Sequence, residues 1–258
     1  MKAELLNQSR FPKSSKYDAD WQTEGSFGGN SLWLAEWLCE EVDLRPGMRV
    51  LDLGCGRAKS SIFLAKEFDV QVWAADLWID PQKNEQRVGD FGLENNVTCL
   101  RTEADRLPFE FGFFDAIVAL DSIQYFGTGD LWLPYVSQFL KPNGVLGFAS
   151  AGVMRELSHP VPKHLAQFWD PSAWCLHTHD WWRDHWVRTG CVDVHRTDSL
   201  PEGWRYWLAW AQACECSDWY LETLERDAGE YLGYIRAVAS KADGVEELSY
   251  DLKTGATR

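Results

Sequence analysis

The sequence predicts an α/β fold, a doubly wound and mostly parallel sheet of seven strands with helices on both faces. Short apolar runs alternate with helix-like stretches between residues 46 and 150, which is typical of a parallel sheet with crossover helices. Residues 114–120 are nearly all apolar, as expected of a strand buried on both faces. With 258 residues and 45% hydrophobic content, the chain is long enough for one such domain.

An N-terminal arm and a first helix are predicted over residues 1–45, and residues 46–150 are predicted to form the central part of the sheet. Asn30 is a plausible cap for the first helix, and Arg45-Pro46-Gly47 ends it. Five strands are predicted in residues 46–150, at 49–53, 70–75, 97–101, 114–120 and 145–150. Three helices are predicted between them, at 58–67, 80–91 and 131–140.

The pattern changes after the fifth strand. Pro160, Pro162 and Pro171 interrupt any periodicity, so residues 151–190 are predicted to be a lid insertion, with a helix capped by Thr178 at its end. The core resumes over residues 191–242. It contains a strand at 191–197, a Trp-rich helical region at 203–228 with a break near Ser217, and a last strand at 231–240. Residues 243–258 are predicted to be a polar tail, and residues 1–258 are predicted to form one domain.

A glycine turn follows the first strand. The run Val50-Leu51-Asp52-Leu53-Gly54-Cys55-Gly56 ends in this turn, and Asp76 closes the second strand twenty residues after Gly56. Glycines allow a nucleoside-bearing cofactor to approach the backbone, and an acid in this place binds ribose hydroxyls. The position three residues after Gly56 is Lys59, so the dinucleotide pattern fails, and no Walker-type phosphate loop follows.

The run from Asp52 to Gly56 resembles the first motif of the class I S-adenosylmethionine-dependent methyltransferases, with Ala58 where that family often has glycine. The resemblance implies an antiparallel last strand and S-adenosylmethionine as cofactor, with S-adenosylhomocysteine as product. It also implies that Asp76 binds both ribose hydroxyls. Residues 103–109 resemble the family's adenine-contacting segment, which implies a hydrogen bond from the adenine amino group to Asp105. Residues 114–122 resemble the fourth motif of the family. This resemblance implies that Asp121 points toward the methionine part of the cofactor or toward the methyl acceptor.

The cofactor-binding residues predicted from this resemblance are Asp52, Gly54, Gly56, Asp76, Leu77, Asp105, Arg106 and Asp121. A catalytic base is needed only where the acceptor holds its proton. His159 in the lid and Tyr17 in the arm are the predicted catalytic residues, because similar proteins use both regions to cover the substrate. No metal is predicted, since His179 and His185 are too far out of phase to share one helical face.

Composition excludes several classes of partner. The net charge of −14 opposes binding to nucleic acid and to an anionic membrane surface. No apolar run approaches the ~18 residues that a membrane span needs. Seven cysteines without framework spacing are typical of free thiols in a reducing compartment, so a cytoplasmic location is predicted. The predicted partner is a small-molecule acceptor, and a homodimer stays an open alternative.

The fifteen tryptophans, many of them between Trp169 and Trp219, allow two interpretations. They are either core filler beneath the lid or the wall of an aromatic substrate chamber. The predicted function is methyl transfer to an O, N or C nucleophile of a small molecule. The alternative is a protein of the same fold that binds the cofactor without transfer, as a cyclase-type enzyme or a non-catalytic partner. A nicotinamide oxidoreductase is disfavoured by the absence of a third glycine.

Overall fold

The computed structural model describes residues 2–26 and 28–244. Within them, seven strands form one sheet in the order β3-β2-β1-β4-β5-β7-β6. The strands are β1 (Arg49–Leu53), β2 (Gln71–Asp76), β3 (Val97–Arg101), β4 (Phe114–Leu120), β5 (Leu140–Val153), β6 (Val192–Ser199) and β7 (Leu232–Lys241). The first five pair in parallel, whereas β7 is antiparallel to β5 and β6. The predicted sheet, including its antiparallel last strand, is confirmed.

Helices cover both faces of the sheet, as predicted. They are α1 (Lys2–Leu6), α2 (Ala19–Thr23), α3 (Ser31–Leu38), α4 (Lys59–Phe68), α5 (Pro81–Gly89), α6 (Trp132–Val136), α7 (His179–Val187), α8 (Gly203–Ala213) and α9 (Asp218–Asp227). Neighbouring strand residues point to opposite faces. Val50 and Val118 pack in the core layer with α3, α4 and α8, while Leu51 and Ala119 pack in the layer with α6 and α7.

The residues before α3 are more ordered than the predicted irregular arm. Between α1 and α2, Phe11 is fully buried. Its ring lies 5.5 Å from that of Trp33 in α3 and 5.1 Å from that of Tyr206 in α8. Helices of five residues carry too few periodic positions to be recognised in a sequence, and they are stable here because tertiary packing holds them. The arm is therefore part of the folded body.

Two predicted helices end earlier than the apolar periodicity indicates. The prediction over 131–140 is wrong in its second half, because α6 ends at Val136 and Leu140 already pairs with Phe114 as the first residue of β5. The first helix ends at Leu38, although Val42 continues its apolar spacing and is buried. In both places, tertiary packing overrides the local helical pattern.

The lid over residues 151–190 stays a prediction, and only part of this range lies outside the sheet and its helical layers. Residues 154–177 lie outside the sheet and contain two short 3₁₀ helices. In contrast, α7 belongs to a helical layer, because the Trp182 and Trp186 rings lie 4.8 Å and 5.5 Å from that of Phe148 in β5. The predicted break near Ser217 is confirmed, since it separates α8 from α9. The predicted tail lies outside the described residues after Gly244.

Across residues 2–26 and 28–244, the structure has no helix with both the length and the apolar character to cross a membrane.

Candidate cofactor site

The glycine turn between β1 and α4 has one closed side and one open side. Gly54 and Gly56 have φ values of +76° and +54°, in the left-handed region that favours glycine. A Cβ added to Gly54 would lie 2.5 Å from the Cβ of Ser122, whereas one added to Gly56 would meet nothing within 4 Å. Gly54 therefore allows close packing against the end of β4. Gly56 borders open space at the carboxyl ends of the strands, where α/β sheets bind ligands.

Ala58 has φ of +58° and is fully buried as it leads into α4. This is the position where the resemblance leads one to expect glycine. The left-handed conformation costs a residue with a side chain about 1 kcal/mol. Alanine is thus accommodated without changing the path of the turn.

Asp76 organises the open side of the turn. Its Oδ2 accepts a hydrogen bond from the Gly56 amide at 2.9 Å, and its Oδ1 accepts from the amides of Trp78 and Ile79 at 2.8 and 2.9 Å. A carboxylate offers about four acceptor positions, so a position remains for a hydroxyl donor. Leu77 is 43% exposed and adds an apolar surface directly beside the acid. The structure thus brings Gly56, Asp76 and Leu77 together.

Asp52 lies beneath the turn and not on its open side. The carboxylate is fully buried, and its Oδ2 accepts hydrogen bonds from the hydroxyls of Ser60 and Ser61 in α4, both at 2.6 Å. Its Oδ1 has no hydrogen-bond partner among the described residues. Burial raises the pKa of Asp52 to about 6, and the nearby charge of Asp76 acts in the same direction. This geometry supports a structural role below the turn.

The buried carboxyl makes stability depend on pH. Its pKa is raised in the folded state, so its contribution is complete below the unfolded value near 3.8 and is lost as the pH rises through about 6. Relative to Asp52→Asn, we expect the wild type to lose about 2 kcal/mol of unfolding free energy between about pH 4 and about pH 6.5. Urea unfolding of both proteins across this range measures the difference. Parallel pH profiles would contradict the assignment.

The segment after β3 lies next to Asp76, because the amide of Thr102 donates to the carbonyl of Asp76 at 3.1 Å. Asp105 and Arg106, which were predicted to contact the cofactor, are exposed. Glu103 is half-buried, and its carboxylate forms an ion pair with Arg106 at 3.2 Å. Glu103 is thus a second candidate acceptor for an adenine amino group. Its position two residues after a strand end was the signal in the sequence.

Asp121 lies at the carboxyl end of β4, as predicted. It has φ of +53°, and its Oδ2 accepts from the amide of Gly29 at 2.6 Å while its Oδ1 accepts from that of Ala151 at 2.9 Å. A Cβ on Gly28 would lie 2.0 Å from this carboxylate, so glycine is required there. The acid therefore joins the arm, β4 and β5 beside the glycine turn, where Ser122 packs on Gly54.

The two predicted catalytic residues lie in different segments, Tyr17 before α2 and His159 in the loop after β5. The Tyr17 hydroxyl donates to Glu67 at 3.1 Å, and burial raises its pKa. Glu67 is near the last residue of α4, about 12 Å along the helix from the turn at its first residue. The Tyr17 ring packs on that of Trp21 at 5.5 Å, and a contact of Tyr17 with the site stays a prediction. His159 is exposed in the loop after β5, and its role stays a prediction.

The tryptophans of the second half are mainly packing residues. The Trp207 ring stacks on that of Tyr234 in β7 at 5.2 Å. The indole of Trp181 in α7 is flanked by the imidazoles of His177, which precedes the helix, and His185, at 3.8 Å and 4.7 Å. Rings that pack against each other leave no open cage between them. The geometry supports the core-filler interpretation.

Sequence reasoning missed Lys59, which it treated only as an absent glycine. The side chain is 8% exposed and its ammonium donates hydrogen bonds to the arm. The one signal in the sequence was a cation at the first residue of a helix, where the helix dipole disfavours positive charge. Its partners are in the arm, so local pattern could not identify them.

Comparisons with known proteins agree on the fold and on the central segment. A family model described as a methyltransferase domain matches residues 50–144. Methyltransferase GfsG of Streptomyces halstedii is 31% identical over 117 residues, which are 45% of this chain and 42% of GfsG. The chain thus spans less than half the length of this curated relative.

Two solved structures are similar over most of the chain. The geranyl diphosphate C-methyltransferase of Streptomyces coelicolor superposes with a TM-score of 0.65 at 19% identity, over 81% of this chain and 78% of that one. The [4+2]-cyclase SpnF superposes with a TM-score of 0.67 at 19% identity, over 86% of each chain. At this level of identity, the likeness is one of fold. Residues 50–144 thus match a methyltransferase domain, and most of the chain has the fold of the class I S-adenosylmethionine-dependent methyltransferases.

Proposed function

We propose that the protein transfers a methyl group from S-adenosylmethionine to an O, N or C nucleophile of a small molecule. The observation that carries the proposal is the open approach to Gly56, with the carboxylate of Asp76 beside it. A nucleoside needs both features, a backbone that it can approach closely and an acceptor for its ribose hydroxyls. The residues present fit this cofactor.

Different residues around the glycine turn bind the ribose and the adenine of the cofactor. Asp76 accepts a ribose hydroxyl, and the exposed side chain of Leu77 packs against the adenine. Glu103 or Asp105 accepts from the adenine amino group, and Arg106 is held next to them by its ion pair with Glu103. Each of these groups follows the carboxyl end of β2 or β3, so one nucleoside can reach all of them.

The cofactor, when bound, supplies an electrophilic methyl group on a sulfonium with a neutral leaving group. The protein therefore has to align the acceptor in line with that bond, and orientation accounts for most of the rate gain. Asp121 fixes the relative positions of the arm, β4 and β5 around this point. His159 in the 154–177 loop is the proposed base for acceptors that hold a proton at the reacting atom.

A small molecule is the proposed acceptor, and the cytoplasm the proposed location. The net charge of −14 disfavours a nucleic-acid acceptor. All seven cysteines are free thiols in the structure, which supports a reducing compartment. The 154–177 loop, which follows the carboxyl end of β5, is the segment that we propose covers the acceptor.

Calorimetric titration tests the cofactor assignment. We expect S-adenosylmethionine and S-adenosylhomocysteine to bind with dissociation constants on the order of micromolar, about −8 kcal/mol. NADH is the control ligand, because a nicotinamide oxidoreductase would bind it. Tight NADH binding without binding of either sulfur compound would refute the proposal.

A second experiment separates transfer from binding alone. The protein is incubated with cofactor carrying a labelled methyl group and with pools of small phenols, amines, acids and enolisable ketones. Label in a pool member supports methyl transfer. Cofactor binding with no labelled product from any pool favours the cyclase-type or non-catalytic alternative.

A further inference from the structure

The side chain of Lys59 joins the glycine turn to the arm. Lys59 is the first residue of α4, and its ammonium donates three hydrogen bonds. The acceptors are the carbonyl of Gln22 at 2.6 Å, the carbonyl of Glu24 at 2.9 Å and the hydroxyl of Ser26 at 2.8 Å. An ammonium has three N–H donors, so all of them are used on residues 22–26, here called the arm segment.

This position is unfavourable for a positive charge. The N-terminal end of a helix carries a partial positive charge, which opposes a cation there. All three acceptors are neutral oxygens, and no carboxylate of the described residues forms an ion pair with Lys59. Burial, together with the charges of Arg57 and Arg87, lowers the pKa of Lys59 to about 8, although Glu24 opposes the shift. An apolar side chain would fill this space at lower electrostatic cost.

A neighbouring residue makes a second contact of the same kind. The guanidinium of Arg57 donates to the carbonyl of Glu24 at 3.0 Å. A Cβ added to Gly25 would lie 2.1 Å from Arg57, so the arm segment passes directly over this side chain. Arg57 immediately follows Gly56, the open residue of the turn. The arm segment thus lies across the start of α4 and borders the space that the cofactor would enter.

We propose that Lys59 is a positioning residue that holds the arm segment against the glycine turn as one wall of the cofactor site. The inference rests on the proposed function, because it concerns the same site. When the cofactor is bound, the arm segment limits its escape, and release requires that the hydrogen bonds of Lys59 break. The rest of the arm stays docked, since Phe11 and Tyr17 are buried independently of this contact.

The test compares Lys59→Met with Lys66→Met. Methionine keeps most of the length of the side chain and removes all three donors. Lys66 is on the same helix two turns later, and it is exposed. Its ammonium lies over the ring of Tyr17 at 5.2 Å, outside the arm segment. The probe is S-adenosylhomocysteine, measured by calorimetry and by stopped-flow dissociation.

We expect Lys59→Met to raise the dissociation constant about tenfold, mainly through faster dissociation. Hydrogen exchange of the amides of residues 19–26 should increase in this variant, while exchange in β1 and β4 stays as in the wild type. Lys66→Met should match the wild type in every measurement. Ser26→Ala, which removes one acceptor without changing α4, should shift affinity in the same direction by a smaller factor.

Different results identify which statement fails. Wild-type affinity and wild-type exchange in Lys59→Met would overturn the role of Lys59. An equal loss of affinity in Lys66→Met would show a general charge effect and overturn it as well. A wild type that does not bind S-adenosylhomocysteine would instead refute the proposed function. If Lys59→Met does not fold, unchanged affinity in Ser26→Ala overturns the inference.

Discussion

Replacement of Asp76 by alanine is expected to raise the dissociation constant of S-adenosylmethionine at least tenfold. The change removes the proposed acceptor for the ribose hydroxyls and also the acceptor for the amides of Gly56, Trp78 and Ile79. Polar groups left without partners cost on the order of 1–3 kcal/mol each where they are buried. The glycine turn should therefore lose order, and the free energy of unfolding should fall by about 2 kcal/mol.

Calorimetry below the melting transition measures the affinity of Asp76→Ala, and circular dichroism confirms that the sample is folded. Asp90→Ala is the matched control, because Asp90 is an exposed carboxylate at the end of α5. Asp76→Asn keeps the size of the side chain and should give an intermediate affinity. A folded Asp76→Ala protein with wild-type affinity would show that this acid does not bind the cofactor.

Replacement of Arg236 by methionine is expected to cost about 3 to 5 kcal/mol of unfolding free energy. The guanidinium is buried in β7 and donates to both carboxylate oxygens of Asp198, at 2.8 and 3.1 Å, and to the carbonyl of Trp37 at 2.6 Å. Although burial opposes ionisation of Asp198, Arg236 and Arg196 hold its pKa below its usual value. Without Arg236, the partly buried charge of Asp198 loses its main partner, and the carbonyl of Trp37 in α3 loses one of its donors.

Arg196→Met provides the comparison for this prediction. Arg196 also pairs with Asp198, at 2.6 Å, but half of its side chain is exposed to solvent. Exposed ion pairs contribute little, so this variant should lose less than about 1 kcal/mol. Urea unfolding of both variants gives the two values. Equal losses would show that burial of Arg236 is not the source of its effect.

The sequence allowed the sheet to be predicted because its signals are local. β1, β3 and β4 have the predicted bounds, since each is a short apolar run between turn residues. The glycine turn and Asp76 were also found from local spacing, and the structure brings them within hydrogen-bond distance. These features depend on neighbours within one strand–helix–strand unit, so periodicity and spacing determine them.

Other features could not be predicted because they depend on distant parts of the chain. The partners of Tyr17 and Lys59 are examples: the tyrosine hydroxyl donates to Glu67 near the end of α4, and the lysine ammonium donates to carbonyls of the arm. Leu140 begins a strand because Phe114 is available to pair with it. Glu103 is closer than Asp105 to the end of β3. Glu103 is half-buried and Asp105 is exposed, and this difference depends on the path of the loop, which the sequence does not give.

The burial of Phe11 between Trp33 and Tyr206 has a consequence for synthesis on the ribosome. Phe11 is translated long before Tyr206, so the arm cannot reach its final partners until α8 has left the exit tunnel. The apolar side chains of the nascent arm are exposed during that interval, and they are binding sites for chaperones or for other nascent chains. Final docking of Phe11 is thereby delayed until α8 has been made.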